Sequence, residues 1–224
     1  MKRITKKEYC SSLKRVAIIL GYYNGRTFIN SQINSIFKQT HNDFHIFLFD
    51  DNSTYPFDIK DLSLNDDQIS KFSYIIRPQN IGFSNNFLKG LTKVNNNFDY
   101  YSFCDQDDIW FENKLEKAIK ELSKFSPKIS AIYCGRTEVS NKTCTKKLGY
   151  SPLFKQPPSF ANALVQNIGG GNTMVFNKAA KKLIITSLKN ANVVSHDWWC
   201  YQIVSGAGGN VIYDSIPYLI YRQH

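Results

Sequence analysis

The sequence predicts an α/β protein built on a mostly parallel sheet, and two observations carry that prediction. Short β-type apolar runs alternate with segments whose apolar residues recur at helical spacing from Arg15 to Cys134, about 120 residues that read as βαβ units. No internal repeat, low-complexity block or Pro/Gly/Ser-rich linker breaks up the 224 residues, a length that suits one core better than two.

The elements follow in order. Val16–Leu20 is a first strand, closed by Gly21-Tyr-Tyr-Asn-Gly25. Phe28, Ile29, Ile33, Ile36 and Phe37 then fall on one helical face. Phe44–Phe49 is a second strand ended by Asp-Asp-Asn-Ser, and Phe72–Ile76 a third. A helix over 83–94 places Phe83, Phe87, Leu88 and Leu91 together. Tyr100–Cys104 is a fourth strand, 112–125 a helix carrying Leu115, Ile119 and Leu122, and Ile129–Cys134 a fifth strand. The second half is less regular. Prolines 152, 157 and 158 make 151–160 a loop, Thr173–Phe176 reads as a strand, and a helix begins near Lys178. A further helix covers 198–204, with short strands at 211–213 and 218–221. This half is expected to complete the same sheet and add a wall over it.

Hydrophobic residues make up 42% and charged residues 21%, the mix of a globular protein. No stretch approaches the roughly 20 apolar residues of a membrane span. The run Val16–Leu20 is too short for a signal-peptide core and no small-residue cleavage site follows it, so the expected compartment is the cytosol. Five cysteines, at 10, 104, 134, 144 and 200, form no CxxC; reduced thiols packed as small hydrophobes are expected rather than a zinc or redox site.

The net charge is +10 and unevenly placed: +5 over residues 1–15, −4 over 16–115 and +9 over 116–224. An acidic middle between basic ends suits carboxylates gathered for chemistry or a metal within a surface that attracts anions. Residues 1–14 read as a basic, solvated arm, with attraction to an anionic membrane surface as its functional reading.

Ligands of open parallel sheets bind at the carboxyl ends of the strands. Asp50 and Asp51 end the second strand, Asp105-Gln-Asp-Asp108 follows the fourth, and Asp197 precedes a late helix. Any one aspartate could be a turn former or helix cap. Two clusters at strand ends point instead to a shared cation, since hard divalent ions take carboxylate oxygens and complete their shell with phosphate. No GxxxxGK[ST] and no GxGxxG after the first strand occur, which removes the P-loop and weakens a dinucleotide site. A nucleoside diphosphate held through a metal remains.

Eight tags then come in one order: Ile18-Ile-Leu-Gly-Tyr-Tyr-Asn-Gly, Gln32-Ile-Asn-Ser-Ile-Phe-Lys-Gln-Thr, Phe49-Asp-Asp-Asn-Ser, Arg77-Pro-Gln-Asn-Ile-Gly, Phe103-Cys-Asp-Gln-Asp-Asp-Ile-Trp, Gly169-Gly-Gly-Asn-Thr, His196-Asp-Trp-Trp and Tyr221-Arg-Gln-His. Over residues 15–224 they resemble family 2 glycosyltransferases of GT-A fold, and most closely the bacterial rhamnosyltransferase-like branch that builds cell-surface polysaccharides. The resemblance implies one Rossmann-like, mostly parallel central sheet flanked by helices. It implies a nucleotide-sugar-binding half over 15–134 and a smaller acceptor-binding half over 135–224.

It also implies roles. Asp51 matches the carboxylate that accepts from the nucleotide base, Tyr23 packs on base or ribose, and Asn24 is a further donor-binding residue. Asn80 and Gly82 border the nucleotide and sugar. Asp105 and Asp107 match the DXD motif, Asp105 facing ribose or sugar and Asp107 binding Mn²⁺ or Mg²⁺, with Asp108 as the cap of the next helix or a second metal candidate. Asp197 matches the base of inverting members. Gly170, Gly171, Asn172, His196 and Trp198 border the acceptor, although His196 and Trp198 could equally pack, as could Trp110. His224 matches a late metal ligand and Arg222 a neighbour of the diphosphate. Chains of this kind usually continue further, which implies a truncated or short member. The partners implied are a nucleotide-diphospho-sugar donor and a glycan or lipid-linked acceptor, with peripheral contact at the inner face of an anionic membrane and no nucleic acid. Two alternatives stand beside this: a nucleotidyltransferase, disfavoured by the single basic residue in Gly21–Arg26, and a non-catalytic basic module binding nucleic acid or membrane.

Overall fold

The structure is a computed structural model and describes residues 14–189 and 191–224. The basic arm, except Lys14, and Cys10 lie outside the described residues. The first half alternates as expected: β1 (Val16–Tyr22), α1 (Ile29–Phe37), β2 (Phe44–Asp50), α2 (Asp66–Ser70), β3 (Phe72–Ile76), α3 (Phe83–Lys93), β4 (Tyr100–Cys104). Then come β5 (Ile109–Trp110), α4 (Lys114–Leu122), β6 (Ala131–Gly135), β7 (Glu138–Ser140), β8 (Lys147–Tyr150) and α5 (Phe160–Ala163). The chain closes with β9 (Val175–Asn177), α6 (Lys178–Ser187), α7 (His196–Gly206), β10 (Asn210–Asp214) and β11 (Leu219–Arg222).

Seven strands form the main sheet in the order β10-β6-β9-β4-β1-β2-β3. All pair in parallel except β9, which runs antiparallel between β4 and β6. The register sets Leu20 beside both Leu48 and Cys104, so β1, β2 and β4 deliver their following loops to one edge. β1 is buried on both faces, as a strand covered by helices on each side must be. Ile18 and Leu20 pack with Ile33 and Leu115 from α1 and α4. Ala17 and Ile19 face the other way, toward Phe87, Ile184 and Val204 from α3, α6 and α7. That division follows from the alternation of side chains along a strand.

The expectation that the second half simply completes the sheet is corrected in part. β9 and β10 join it, but β11 belongs to a separate four-stranded sheet, β5-β11-β7-β8. The strands of that sheet are two to four residues long, too short for their alternation to stand out in sequence. The described cysteines are all free, with Cys104, Cys134 and Cys200 buried. Among the described residues no helix is long and apolar enough to cross a membrane.

Candidate active site at the carboxyl ends of the parallel strands

A cavity of about 510 Å³ opens where β1, β2 and β4 end, and Tyr23, Asp51, Asn80, Gly82, Asp105 and Asp107 all line it. Asp51 is buried, and its two oxygens accept the N–H groups of Ile81 and Gly82, each at 2.9 Å. Gly82 adopts φ +81° just before α3, a conformation that costs any residue with a Cβ. Asp51 therefore shapes the rim formed by Asn80 and Gly82, and each of its oxygens keeps acceptor capacity beyond that bond. Its neighbour Asp50 is a turn former: it accepts from Ser53 N and Oγ and from Phe57 N.

The sequence reading missed Gln106, the residue between the two DXD aspartates. Its Oε1 accepts Tyr23 N at 2.8 Å and its Nε2 donates to Tyr23 O at 3.0 Å, clamping the loop after β1 to the loop after β4. Asn24 is placed otherwise than expected. At φ 50°, its Oδ1 accepts Thr54 N at 2.9 Å, so its side chain braces a loop and does not line the cavity.

Asp105 accepts no side-chain hydrogen bond among the described residues, and it borders both this cavity and a second one. Burial pushes its carboxyl up to about 7, and the nearby charges of Asp107 and Asp197 add to the effect. Asp107 meets His224, whose Nε2 lies 2.8 Å from Asp107 Oδ2 while its ring stacks on Phe28. Among the described residues no three His, Cys, Asp or Glu side chains converge into a complete metal cage. Mg²⁺-like ions need only one or two carboxylates when phosphates supply the rest, so a partnerless Asp105 beside the Asp107–His224 pair fits such an ion.

Two expectations in this region are corrected. Asp108 does not cap α4, which starts at Lys114 behind Asn113. It is fully buried, with Oδ2 2.7 Å from Asn172 Nδ2 and Oδ1 without a partner. Arg222 does not face the cavity. Its buried guanidinium donates to the carbonyls of Asp107 (2.8 Å) and Lys142 and to Ser31 Oγ, because a buried cation must find acceptors. Beneath them Lys114, also buried, sits 3.7 Å from the centre of the Trp110 ring. Burial pulls its ammonium down to about 8 against the opposing charges of Cys104, Asp108 and Asp105. Trp110 is 2% exposed and is core, not a sugar platform.

The second cavity, about 680 Å³, holds Gly170, Gly171, Asn172, His196 and Asp197 and shares Phe83, Asp105 and Tyr221 with the first. Asp197 lies in the first turn of α7, where the helix dipole suits a carboxylate. Its Oδ2 accepts Gly171 N at 3.0 Å, and its Oδ1 accepts Trp198 N at 2.7 Å and Ser195 Oγ. His196 is buried with its ring stacked on Phe87 at 4.3 Å, and neither ring nitrogen has a partner. Burial pushes it down to about 4; it packs as a neutral ring. Asn172 borders the cavity, but its amide is turned to Asp108. Trp198 lines neither cavity: its Nε1 donates to Ala163 O at 2.7 Å, docking α7 on α5. A third cavity, about 490 Å³, opens beside Tyr100 and Lys178 and holds none of these residues.

Comparison with known proteins agrees with this geometry. The glycosyl transferase family 2 model matches residues 17–184. The dTDP-rhamnosyl transferase RfbG of Shigella flexneri is 31% identical over 222 residues, covering 90% of this chain and 70% of its own length. Two solved structures share the fold at 15% identity: TarS of S. aureus in complex with UDP-GlcNAc (TM-score 0.63) and the mannosyltransferase PcManGT of Pyrobaculum calidifontis with GDP-Man and Mn²⁺ (TM-score 0.61). Each aligns over 94% of this chain, which spans 59% and 57% of theirs. The sheet is accordingly of GT-A type, and the nucleotidyltransferase and the non-catalytic module are set aside. With eight ordered tags, aspartates from two strand-end loops and from the first turn of α7 lining two adjoining cavities and a family match over residues 17–184, the chain belongs to glycosyltransferase family 2.

Proposed function

We infer that the protein is an inverting, metal-dependent glycosyltransferase. It moves a sugar from a nucleotide-diphospho-sugar to a hydroxyl of a glycan or lipid-linked acceptor in surface-polysaccharide synthesis. The observation that carries this reading is Asp105, a carboxyl without a hydrogen-bond partner among the described residues, at the junction of two cavities and flanked by Asp107 and Asp197. Repelling carboxylates gathered this way suit a site completed by a cation and a diphosphate.

In this reading the 15–134 half binds donor. Tyr23 packs on base or ribose, Asp51 accepts from the base, and Asn80 and Gly82 border the nucleotide. Asp107 and His224 hold Mn²⁺ or Mg²⁺, and Asp105 faces the ribose or sugar. A bound divalent ion would neutralise charge developing on the leaving diphosphate. The 135–224 half, through Gly170 and Gly171, receives the acceptor. Asp197 takes the proton from the acceptor hydroxyl as its oxygen bonds to the anomeric carbon, and the carbon–oxygen bond to phosphate breaks with its electron pair on the nucleoside diphosphate. The +9 charge over residues 116–224 favours work at the inner, anionic face of a membrane, where a lipid-linked acceptor would lie.

The test is a panel of dTDP-rhamnose, UDP-glucose and GDP-mannose with Mn²⁺, reading nucleoside diphosphate release, together with thermal shift by dTDP, UDP and GDP. One donor should be turned over, and its diphosphate should stabilise the protein only with metal, by an amount that grows with the logarithm of concentration over Kd. Asp107→Ala should abolish the metal-dependent shift while the fold survives. A variant that keeps wild-type turnover and metal dependence would move the metal site elsewhere.

A further inference from the structure

Asp108 and Asn172 meet from opposite sides of the site. Asp108 follows Asp107 in the loop after β4, whereas Asn172 follows Gly171, whose N–H donates to Asp197. They are 64 residues apart, and their 2.7 Å hydrogen bond is buried, with Asp108 0% and Asn172 5% exposed. A carboxylate with one oxygen unpartnered in such a place is costly, and an apolar side chain would fill the space more cheaply. The turn that carries Asn172 is itself braced. Thr173 Oγ1 donates to Gly170 O at 2.7 Å and accepts Gly135 N at 3.2 Å. A Cβ at Gly170 would stand 2.8 Å from Asn172 Oδ1, so the amide lies directly against that backbone.

We propose that the Asp108–Asn172 hydrogen bond is a positioning tie that holds the base Asp197, through Gly171, at a set place relative to Asp105 and Asp107. Asp108 is a positioning residue and touches neither donor nor acceptor. The inference rests on Asp197 being the acceptor base. Two loops from distant parts of the chain each carry one half of the reaction, and this contact joins them inside the protein. Misplacing a catalytic group by about 1 Å is enough to cost about 100-fold in rate, and Thr173 would keep part of the geometry when the tie is lost.

The test is a double-mutant cycle of Asp108→Ala and Asn172→Ala in the full chain, using whichever of dTDP-rhamnose, UDP-glucose and GDP-mannose is turned over with Mn²⁺. Each single variant should lower kcat about 10- to 100-fold while KM for the donor and Kd for its nucleoside diphosphate with Mn²⁺ stay within about threefold of wild type. The double variant should be no worse than the poorer single one. Asp108→Asn tests the tie without emptying the site. Its oxygen can still accept from Asn172 and its NH₂ takes the place of the unpartnered oxygen, so kcat should stay within about threefold of wild type. Hydrogen exchange at Gly171 N–H should quicken in both alanine variants and not in Asp108→Asn, an effect that needs no turnover. Losses that multiply in the double variant, unchanged exchange at Gly171, or an Asp108→Asn as impaired as Asp108→Ala would each overturn the tie. If Asp108→Ala does not fold, Asn172→Ala and Asp108→Asn give the same decision through exchange and kcat. Asp197→Asn in the same assay separates the two readings: near-wild-type turnover there removes the base assignment, whatever the tie does.

Discussion

Replacing Asp197 by asparagine changes one atom and sets two effects against each other. The three donors around the carboxylate occupy both oxygens: Gly171 N on Oδ2, Trp198 N and Ser195 Oγ on Oδ1. An asparagine must present NH₂ to one side. Turned toward Gly171, it forfeits one accepted bond and keeps those from Trp198 and Ser195, so this orientation is the cheaper. Leaving a backbone donor without its acceptor costs about 1–3 kcal/mol, and about 1 kcal/mol lowers Tm by about 2–4 °C in a chain of this size. Asp197→Asn is therefore expected to fold with a Tm lowered by a few degrees. The chemical effect is larger. An amide cannot take the acceptor proton near neutral pH, and losing a general base costs about 10²- to 10⁴-fold. The loss should appear equally in kcat and kcat/KM, as for an interaction made only in the transition state. The assays are calorimetric binding of nucleoside diphosphate with Mn²⁺, thermal unfolding, and steady-state turnover. Turnover near the wild-type rate would refute the assignment of Asp197 as base. Lost nucleotide binding with intact folding would place it on the diphosphate side instead.

Four further outcomes follow from the same site and from the chain's charge. His196 is pushed down to about 4 by burial, below the 6.5 of an unfolded histidine, so its contribution is fully present above pH 6.5 and is lost as pH falls toward 4. At about 1.4 kcal/mol per pH unit the limit is about 3 kcal/mol. The carboxyls of half-buried Asp105 and buried Asp108, both pushed upward by desolvation, act in the opposite sense, so the readout is the difference between wild type and His196→Leu in urea unfolding from pH 7 to 4; parallel curves would show that His196 titrates normally. Gly171→Ala puts a Cβ 2.3 Å from the buried His196 Nε2 and should cost about 1–3 kcal/mol by overpacking. Gly82→Ala, at φ +81° with nothing within 4 Å, should cost only backbone strain of about 1–2 kcal/mol; equal unfolding midpoints for both variants and wild type would contradict both estimates. Finally, binding to liposomes should rise with anionic lipid and fall with salt, since exposed charge is screened over about 10 Å at 0.1 M; equal binding to neutral vesicles, or none to either, would remove the membrane contact.

The sequence alone determined the α/β class, the starts of the first four strands and the position of the aspartates at strand ends. Those features are local. A period of two or of 3.6 and a polar residue after an apolar run are written in neighbouring residues. Only the tertiary structure decided how long side chains and carboxylates spend their hydrogen bonds. Asn24, Arg222 and Trp198 looked like ligand contacts, yet each is used up on a carbonyl or a backbone N–H elsewhere in the chain. Asp108 looked like a helix cap and is instead bonded to Asn172 across 64 residues. The reversed direction of β9 and the second sheet were hidden for the same reason, since pairing partners are chosen by chain reversal at a distance and not by the strand's own composition. Burial also separated aspartates that read alike in sequence. Asp50 was drawn into a turn and Asp51 onto a loop, while Asp105 was left with no hydrogen-bond partner among the described residues, because a carboxylate's role is set by which donors the folded chain brings within reach.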